Sequence, residues 1–282
     1  MLKRIIARLD IKGPDLVKGI NLEGLRVLGD PLKFAFHYYS EGIDEFVYQD
    51  VVASLYDRNS LHSLISDVAK NIFVPLCVGG GVRTLSDIEN LLKAGADKVV
   101  INTAATLNPN FIYEAAKKFG SSTIAVGIEA IKQRDNRYFA FTCNGRESTN
   151  LLVPEWAKEV YERGAGEIVL TSVDCEGTGK GYDLELVNQV ADCVAISVVA
   201  HGGAGSKEDL LSLLKNTKAS GAIISSLLHY NYLADINSSN EAAMRQGNTD
   251  FINSRNLPNI FAPVNIAEIK NYLASHGVSV RI

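Results

Sequence analysis

Apolar, β-branched runs of strand length recur along this chain, ending near Leu9, Gln49, Val78, Ile101, Ile128, Leu170, Val199 and Ile224. Between them stand amphipathic stretches with apolar positions three and four apart, which predict helices over residues 31–40, 60–72, 85–94, 110–119, 154–163, 183–190, 206–216 and 266–276. Start signals sharpen several of these: Thr84 or Ser86 ahead of Asp87-Ile88, Pro109 near a first turn, and Ser206 ahead of Glu208-Asp209. Strands this apolar, each followed by a helix, imply a parallel sheet covered on its outer face, and eight such repeats close it into a (β/α)8 barrel of the TIM type. An open, doubly wound α/β sheet is the alternative, but it does not account for the internal repeat described next.

Leu76-Cys77-Val78-Gly79-Gly80-Gly81, followed by Val100-Ile101-Asn102-Thr103-Ala104, returns about 120 residues later as Val198-Val199-Ala200-His201-Gly202-Gly203-Ala204-Gly205, followed by Ile223-Ile224-Ser225-Ser226-Leu227. Carboxylates repeat at nearly the same offset, since Asp10 closes Arg4-Ile5-Ile6-Ala7-Arg8-Leu9 and Glu129 closes Ile124-Ala125-Val126-Gly127-Ile128. Duplicated half-barrels are the simplest reading.

Three segments break the rhythm. Residues 11–29 are too long for an ordinary βα connection and contain Gly13-Pro14, Lys18-Gly19 and Gly29, so they read as a mobile lid over the strand ends or as an inert surface loop. Residues 132–150, with Tyr138-Phe139-Ala140-Phe141 among them, read as a small hairpin after the fifth strand. Residues 230–263, rich in Asn and Ser, read as a polar insertion before the last helix that caps the active face or binds a partner.

A length of 282 residues suits one barrel domain spanning 1–282 or two small domains, and the regular alternation favours the single barrel. A hydrophobic content of 46% supports a large core, while a net charge of −4 without a basic block argues against a nucleic-acid partner. No apolar run approaches the roughly 18 residues a membrane span requires, so no membrane partner is expected. Cys77, Cys143, Cys175 and Cys193 form no C-x-x-C pair and no signal peptide precedes them, which points to reduced thiols in the cytoplasm. His37, His62 and His276 fall in helical patterns, and His201 and His229 lack metal-ligand company, so neither metal nor cofactor is expected.

In such barrels the C-terminal strand ends face the active site, which places Asp10 and Glu129 on opposite sides of one pocket. Two carboxylates there divide the work of general acid and general base if their surroundings separate their pKa values. The plainer alternative is a structural ion pair with a cation such as Arg8 or Lys18. Glycine clusters at strand ends let backbone N–H groups approach a phosphate, so Gly80, Gly81, Asn102 and Thr103 would form one phosphate site, and Gly202, Gly203, Ser225 and Ser226 the other. Lys18, on the supposed lid, is a candidate phosphate clamp. Thr171-Ser172-Val173-Asp174-Cys175-Glu176-Gly177-Thr178 follows strand six and either orients substrate hydroxyls or caps the next helix.

Several stretches carry a resemblance: Lys3-Arg4-Ile5-Ile6-Ala7, Leu9-Asp10-Ile11-Lys12, Val17-Lys18-Gly19, Gly29-Asp30-Pro31, Val78-Gly79-Gly80-Gly81, Ala94-Gly95-Ala96-Asp97-Lys98-Val99 and Ile101-Asn102-Thr103-Ala104-Ala105. Arg163-Gly164-Ala165-Gly166-Glu167-Ile168, Leu170-Thr171-Ser172-Val173-Asp174, Gly202-Gly203-Ala204-Gly205 and His276-Gly277-Val278-Ser279-Val280-Arg281 extend it. Over nearly its whole length the chain resembles HisF, the cyclase subunit of imidazole glycerol phosphate synthase. The resemblance implies a barrel that receives ammonia from a HisH-like glutaminase docked on its N-terminal face as a heterodimer, and that acts on a bisphosphorylated ribulosyl aminoimidazole carboxamide. It further implies proton transfer by Asp10 and Glu129, Lys18 on a flexible first loop, an ammonia gate of Arg4, Glu45, Lys98 and Glu167, and Asp97 at the glutaminase interface.

Departures from that pattern accompany the matches. Glu129 and Glu176 stand where the family has Asp, and Arg8 where it has a small residue, ordinarily Cys. Lengthening a catalytic carboxylate by one methylene moves its oxygens by about 1.5 Å, and a displacement near 1 Å can cost about 100-fold in rate. These changes and the polar insertion resemble HisF-like paralogues thought to supply ammonia for amidating a phosphate- or nucleotide-linked surface sugar. Three readings stand at this point: a histidine-pathway lyase and cyclase, a sugar-amidation paralogue, and a noncatalytic barrel that activates a glutaminase. The strand-end position of Asp10 predicts that Asp10→Asn abolishes turnover with little loss of stability.

Overall fold

The computed structural model describes residues 2–53, 61–238, 261–262 and 264–282. The chain opens with β1 (Arg4–Lys12), which runs straight into an antiparallel hairpin of β2 (Asp15–Ile20) and β3 (Glu23–Gly29). Next come α1 (Pro31–Ser40), β4 (Glu45–Asp50), α2 (His62–Ala69), β5 (Leu76–Gly79), α3 (Leu85–Ala94), β6 (Lys98–Ile101), α4 (Thr103–Leu107) and α5 (Asn110–Phe119). β7 (Ile124–Lys132) is followed by β8 (Tyr138–Thr142), β9 (Glu147–Leu152), α6 (Val153–Glu162), β10 (Glu167–Ser172) and α7 (Leu184–Ala191). β11 (Ser197–His201), α8 (Lys207–Asn216), β12 (Gly221–Ile224), α9 (Ser226–Ser238) and α10 (Ile266–Ser275) complete the described chain.

Eight of these strands pair in parallel as β1-β4-β5-β6-β7-β10-β11-β12, and β12 returns to β1, so the sheet closes into the expected barrel. Closure leaves no barrel strand with a free edge. Alternate residues point outward under the helices, where Ile5, Ala7, Leu9, Phe46, Tyr48, Val78, Val126 and Leu170 belong to the main apolar core. The others point inward, and the inner apolar cluster takes one residue from each strand: Ile6, Val47, Cys77, Val100, Ala125, Val169, Val199 and Ile223.

The two halves repeat in detail. In α3, Thr84 Oγ1 accepts from the Asp87 N–H at 3.1 Å, while Asp87 Oδ2 accepts from the N–H groups of Thr84 at 2.8 Å and Arg83 at 3.0 Å. In α8, Ser206 and Asp209 form the same capping box, and Asp209 Oδ2 accepts from Gly205 and Ser206, both at 2.9 Å. Each box starts the helix that follows a glycine cluster, so it also fixes where that cluster's loop ends.

Three expectations need correcting. Residues 11–29 are an ordered hairpin continuing β1, not an irregular lid. Its turn places Asn21 and Leu22 at φ of 53° and 62°, the left-handed pair that suits a tight hairpin turn. The Asn/Ser-rich segment begins as helix, since α9 runs on to Ser238; the greater part of the segment, residues 239–260 and 263, lies outside the described residues. α4 is a short helix that the periodicity did not mark. The hairpin expected after the fifth strand is present as β8 and β9, paired antiparallel to each other and to β7.

Removing either cap should cost about 1 kcal/mol. Thr84→Ala and Ser206→Ala are therefore expected to lower the urea midpoint by similar amounts with an unchanged slope, and a loss confined to one of them would show that the two helix starts are not equivalent.

Candidate active site

The strands carry inward-pointing charge at both ends of the barrel. At the C-terminal end, Arg8 and Asp10 lie two apart on β1 and so share its inner face. Arg8 Nε donates to Asp10 Oδ1 at 2.7 Å, and Lys18 Nζ, brought over from β2, stands 3.8 Å from Asp10 Oδ2. Lys18 also pairs with Glu176, in the loop after β10. Glu176 Oε2 accepts from the Leu22 N–H at 3.0 Å, which ties the β2–β3 turn to that loop. All four side chains are buried: Arg8 is 4% exposed, Asp10 2%, and Lys18 and Glu176 1% each.

Burial works to raise the Asp10 carboxyl, but the Arg8 guanidinium and the Lys18 ammonium outweigh it and hold the group below the ordinary carboxylate range. Lys18 is drawn down to about 8, chiefly by burial and further by Arg8, with Asp10 opposing. Glu129, at the end of β7, goes the other way. Burial lifts it to about 6, although the Gly145 N–H donates to its Oε2 at 2.8 Å and Arg8 contributes a favourable charge. Gly145 reaches Glu129 because Cys143, Asn144 and Gly145 all adopt left-handed φ, at 53°, 62° and 77°, and bend the β8–β9 turn back over the mouth. Asn144 Nδ2 in turn donates to the Leu22 carbonyl at 2.9 Å, so three loops meet above the site. The site thus holds one carboxyl poised as an anion and one displaced toward its acid form.

The two glycine cradles differ in openness. Gly80, Gly81, Asn102 and Thr103 line a cavity of about 370 Å³ that also takes in Arg8, Glu129, Asp50, Arg83 and Thr171. Gly202, Gly203, Ser225 and Ser226 meet around a space of about 10 Å³, shared with Glu176 and His201 and sufficient for about one water. Close approach is built into this second cradle. Gly202 sits at φ +102°, and a β-carbon there would lie 2.5 Å from the Ser172 carbonyl oxygen.

At the opposite end, the first inward positions form a closed ring of alternating charge. Arg4 Nη1 contacts Glu45 Oε2 at 2.6 Å and Arg4 Nη2 contacts Glu167, while Lys98 Nζ lies 2.6 Å from Glu45 and 2.8 Å from Glu167. Ser197 Oγ donates to Glu167 at 2.9 Å. For Glu167 the cost of burial is overcome by Lys98 and Arg4, which keep it ionised below its ordinary value. Asp97, exposed at the start of β6 on this same end, accepts from the Leu76 N–H at 2.8 Å.

The structure therefore brings Asp10, Glu129 and both cradles to one mouth, and Arg4, Glu45, Lys98 and Glu167 to the other. Lys18 lies on β2, buried beside Asp10 and Glu176, where a position on a lid is expected. The structural ion pair weighed against catalysis is also present, since Arg8 and Lys18 both contact Asp10. Sequence reasoning missed Gln49, Asp50, Arg83, Cys143 and Asn144 as lining residues. Gln49 and Asp50 end a barrel strand and Arg83 follows a glycine cluster, signals that were available, whereas Cys143 and Asn144 arrive only through the hairpin turn. No group of three or more His, Cys, Asp or Glu side chains arranged to hold a metal occurs among the described residues. Among them, too, no helix is long and apolar enough to cross a membrane.

The profile of a family described as "Histidine biosynthesis protein" matches residues 4–234. A HisF subunit of imidazole glycerol phosphate synthase from Legionella pneumophila is 53% identical over 206 residues, covering 73% of this chain and 97% of the relative. Subunits of the same name from Natranaerobius thermophilus and Streptococcus mutans are 39% and 37% identical and align over 100% and 99% of both chains. Fold and site define a (β/α)8 barrel enzyme with duplicated half-sites, of the histidine biosynthesis family. Within it, the chain belongs to the HisF subunits of imidazole glycerol phosphate synthase.

Two outcomes follow from the geometry. Because the folded protein holds the Glu129 proton more tightly than an unfolded chain with the ordinary value of 4.5, the stability this contributes is present below 4.5 and lost as pH rises through about 6. Glu129→Gln removes that titration, so its thermal midpoint should gain on the parent between those pH values and run parallel above them; a difference independent of pH would refute the assignment. Gly202→Ala should abolish inorganic phosphate binding at the second cradle and spare the first, reducing two bound phosphates to one in a calorimetric titration.

Proposed function

We propose that Asp10 and Glu129 carry out the HisF cyclase reaction that this barrel performs. Ammonia attacks a bisphosphorylated ribulosyl aminoimidazole carboxamide, and cleavage with ring closure gives imidazole glycerol phosphate, aminoimidazole carboxamide ribotide and one water from the ketone oxygen. One observation carries the assignment of residues: two carboxyl groups, at matched strand ends of the two half-barrels, are displaced in opposite directions at a mouth that also holds both glycine cradles. Ammonia acquires a surplus proton on adding to carbon, and the departing amine needs one. Asp10, held ionised, takes the first role and Glu129, displaced toward its acid form, the second. The cradles receive the two phosphates, with backbone N–H groups and the hydroxyls of Thr103, Ser225 and Ser226 as donors.

The name HisF implies a HisH partner. We place that glutaminase at the N-terminal end, against exposed Asp97 and over the ring of Arg4, Glu45, Lys98 and Glu167, with the inner apolar layer as the route for ammonia. A second reading, ammonia delivery for amidation of a phosphorylated sugar, draws support from Arg8, whose guanidinium occupies the space between the cradles.

The deciding experiment mixes the purified protein with the ribulosyl intermediate and excess ammonium at mildly alkaline pH, without any glutaminase. Both products are expected; a folded sample that binds phosphate and forms neither would favour the sugar reading. Asp10→Asn should abolish that turnover. It also leaves Arg8 and Lys18 with one carboxylate fewer, so a loss of stability is expected in place of the neutral effect inferred from strand-end position alone. The activity is therefore read on the folded fraction, and retained turnover would refute the role of Asp10.

A further inference from the structure

Arg8 crosses this mouth from one half-barrel to the other, as Lys18 does through Glu176, and its contacts reach both Asp10 and the second cradle's His201. From β1 it bonds Asp10, as described. Its Nη1 lies 3.4 Å from Thr171 Oγ1 on β10 and 3.3 Å from His201 Nδ1 on β11. His201 Nε2 lies 3.2 Å from Ser225 Oγ at the end of β12. Guanidinium nitrogens only donate hydrogen bonds, so His201 Nδ1 faces Arg8 as an acceptor and the ring is neutral with its proton on Nε2. That proton is then donated to Ser225, whose own hydroxyl hydrogen is left for an anion in the second cradle.

We propose that Arg8 is a positioning residue for the reaction: one guanidinium keeps Asp10 an anion and sets the His201 tautomer that orients Ser225 toward the second phosphate. The proposal rests on the assignment of Asp10 and the cradles made above. The chain Asp10, Arg8, His201, Ser225 links the proton acceptor of one half to the phosphate donors of the other, and all four residues are buried. Burial and the neighbouring Arg8 and Lys18 charges both keep His201 neutral, in agreement with the hydrogen-bond directions. The charged or titratable groups around Asp10 are Arg8 on β1, Lys18 on β2, Glu129 on β7, Glu176 beyond Lys18, His201 on β11 and His229 on α9. His229 is held near 3 by burial and by Lys18, so it is neutral at any working pH. Of the cations, Arg8 makes the shorter contact with Asp10.

The test uses the intact protein with selectively labelled Asp and His side chains, followed by NMR, with Asp10→Asn and His201→Asn identifying the signals. In the parent, His201 should show the Nε2–H tautomer throughout the neutral range and Asp10 should titrate below the ordinary carboxylate range. In Arg8→Met the Asp10 titration should rise by at least one pH unit and the His201 tautomer should become mixed. Arg8→Lys restores a charge but not the fork, so it should recover the Asp10 titration and leave the tautomer mixed. In turnover assays expressed per free ammonia, Arg8→Met should move the acidic limb of the pH profile upward and raise KM. Unchanged signals in a folded Arg8→Met protein would overturn the proposal. Faster turnover by that variant at every pH would do the same, since the guanidinium would then be blocking Asp10. Should Arg8→Met fail to fold, the Arg8→Lys spectra decide: a tautomer identical to the parent's would count against the fork. The NMR readouts need no substrate, so an inactive parent would refute the assigned reaction without deciding the role of Arg8.

Discussion

A charged side chain pointing into a closed barrel has no route to solvent except the two mouths, and every inward polar group here is arranged around that constraint. Leaving a buried charge unpaired costs several kcal/mol, so inward charges come in compensated sets. At the N-terminal end two cations and two carboxylates close a ring, Arg4 and Lys98 against Glu45 and Glu167. At the C-terminal end Arg8 and Lys18 face Asp10 and Glu176 in the same ratio. Glu129 stands at the same mouth, where burial outweighs both the Gly145 N–H and the Arg8 charge and displaces it upward. Acid and base character thus come from how burial and neighbouring charge balance at each carboxyl, not from unusual residues.

Between the two sets lies a purely apolar layer, Ile6, Val47, Cys77, Val100, Ala125, Val169, Val199 and Ile223. Burial keeps the Cys77 thiol protonated within it. Such a layer admits a small neutral amine far more readily than an ammonium ion, whose desolvation is opposed by the low dielectric. In the proposed reaction, nitrogen therefore reaches the upper mouth as ammonia and becomes cationic only after adding to carbon. A carboxylate must then stand ready at that mouth, and Asp10 is kept in that form by the neighbours that bury it.

How much of this was legible in the sequence depended on how local the determining contacts are. All eight barrel strands and most helices were readable, because alternation and capping are written within a few residues of the element they define. The repeated glycine clusters disclose the equivalence of the halves, and the capping boxes of Thr84 with Asp87 and Ser206 with Asp209 extend it in the structure. The β2–β3 hairpin reads from the sequence as a lid or an inert loop because its turn uses Leu22 at φ 62°, a conformation that residue rarely adopts. It is held there by Glu176, 154 positions away. The burial of Lys18 is hidden for the same reason: its partner Glu176 is 158 positions distant, and neither Val17 nor Gly19 beside it announces burial. The short α4 is 5 residues long and carries too little periodicity to read. The candidate site was legible as residues but not as states, since strand-end position alone does not say which carboxyl is held as an anion.

The duplicated scaffold makes that difference meaningful. Two half-barrels with the same caps and glycine clusters would, if their sites were identical, present two equal carboxylates and two equal cradles. Instead the half carrying Asp10 sends Lys18 to Glu176 and Arg8 to His201, two residues of the other half that border the space of about 10 Å³ at Gly202. The cavity of about 370 Å³ remains on the side of Gly80 and Glu129. In the proposed reaction a substrate with two phosphates meets the open cradle first, while the second lies against Glu176, the partner of Lys18 that also anchors the β2–β3 turn. The asymmetry between the halves therefore lies in the side chains that meet at the mouth, on a scaffold whose caps and glycine clusters repeat.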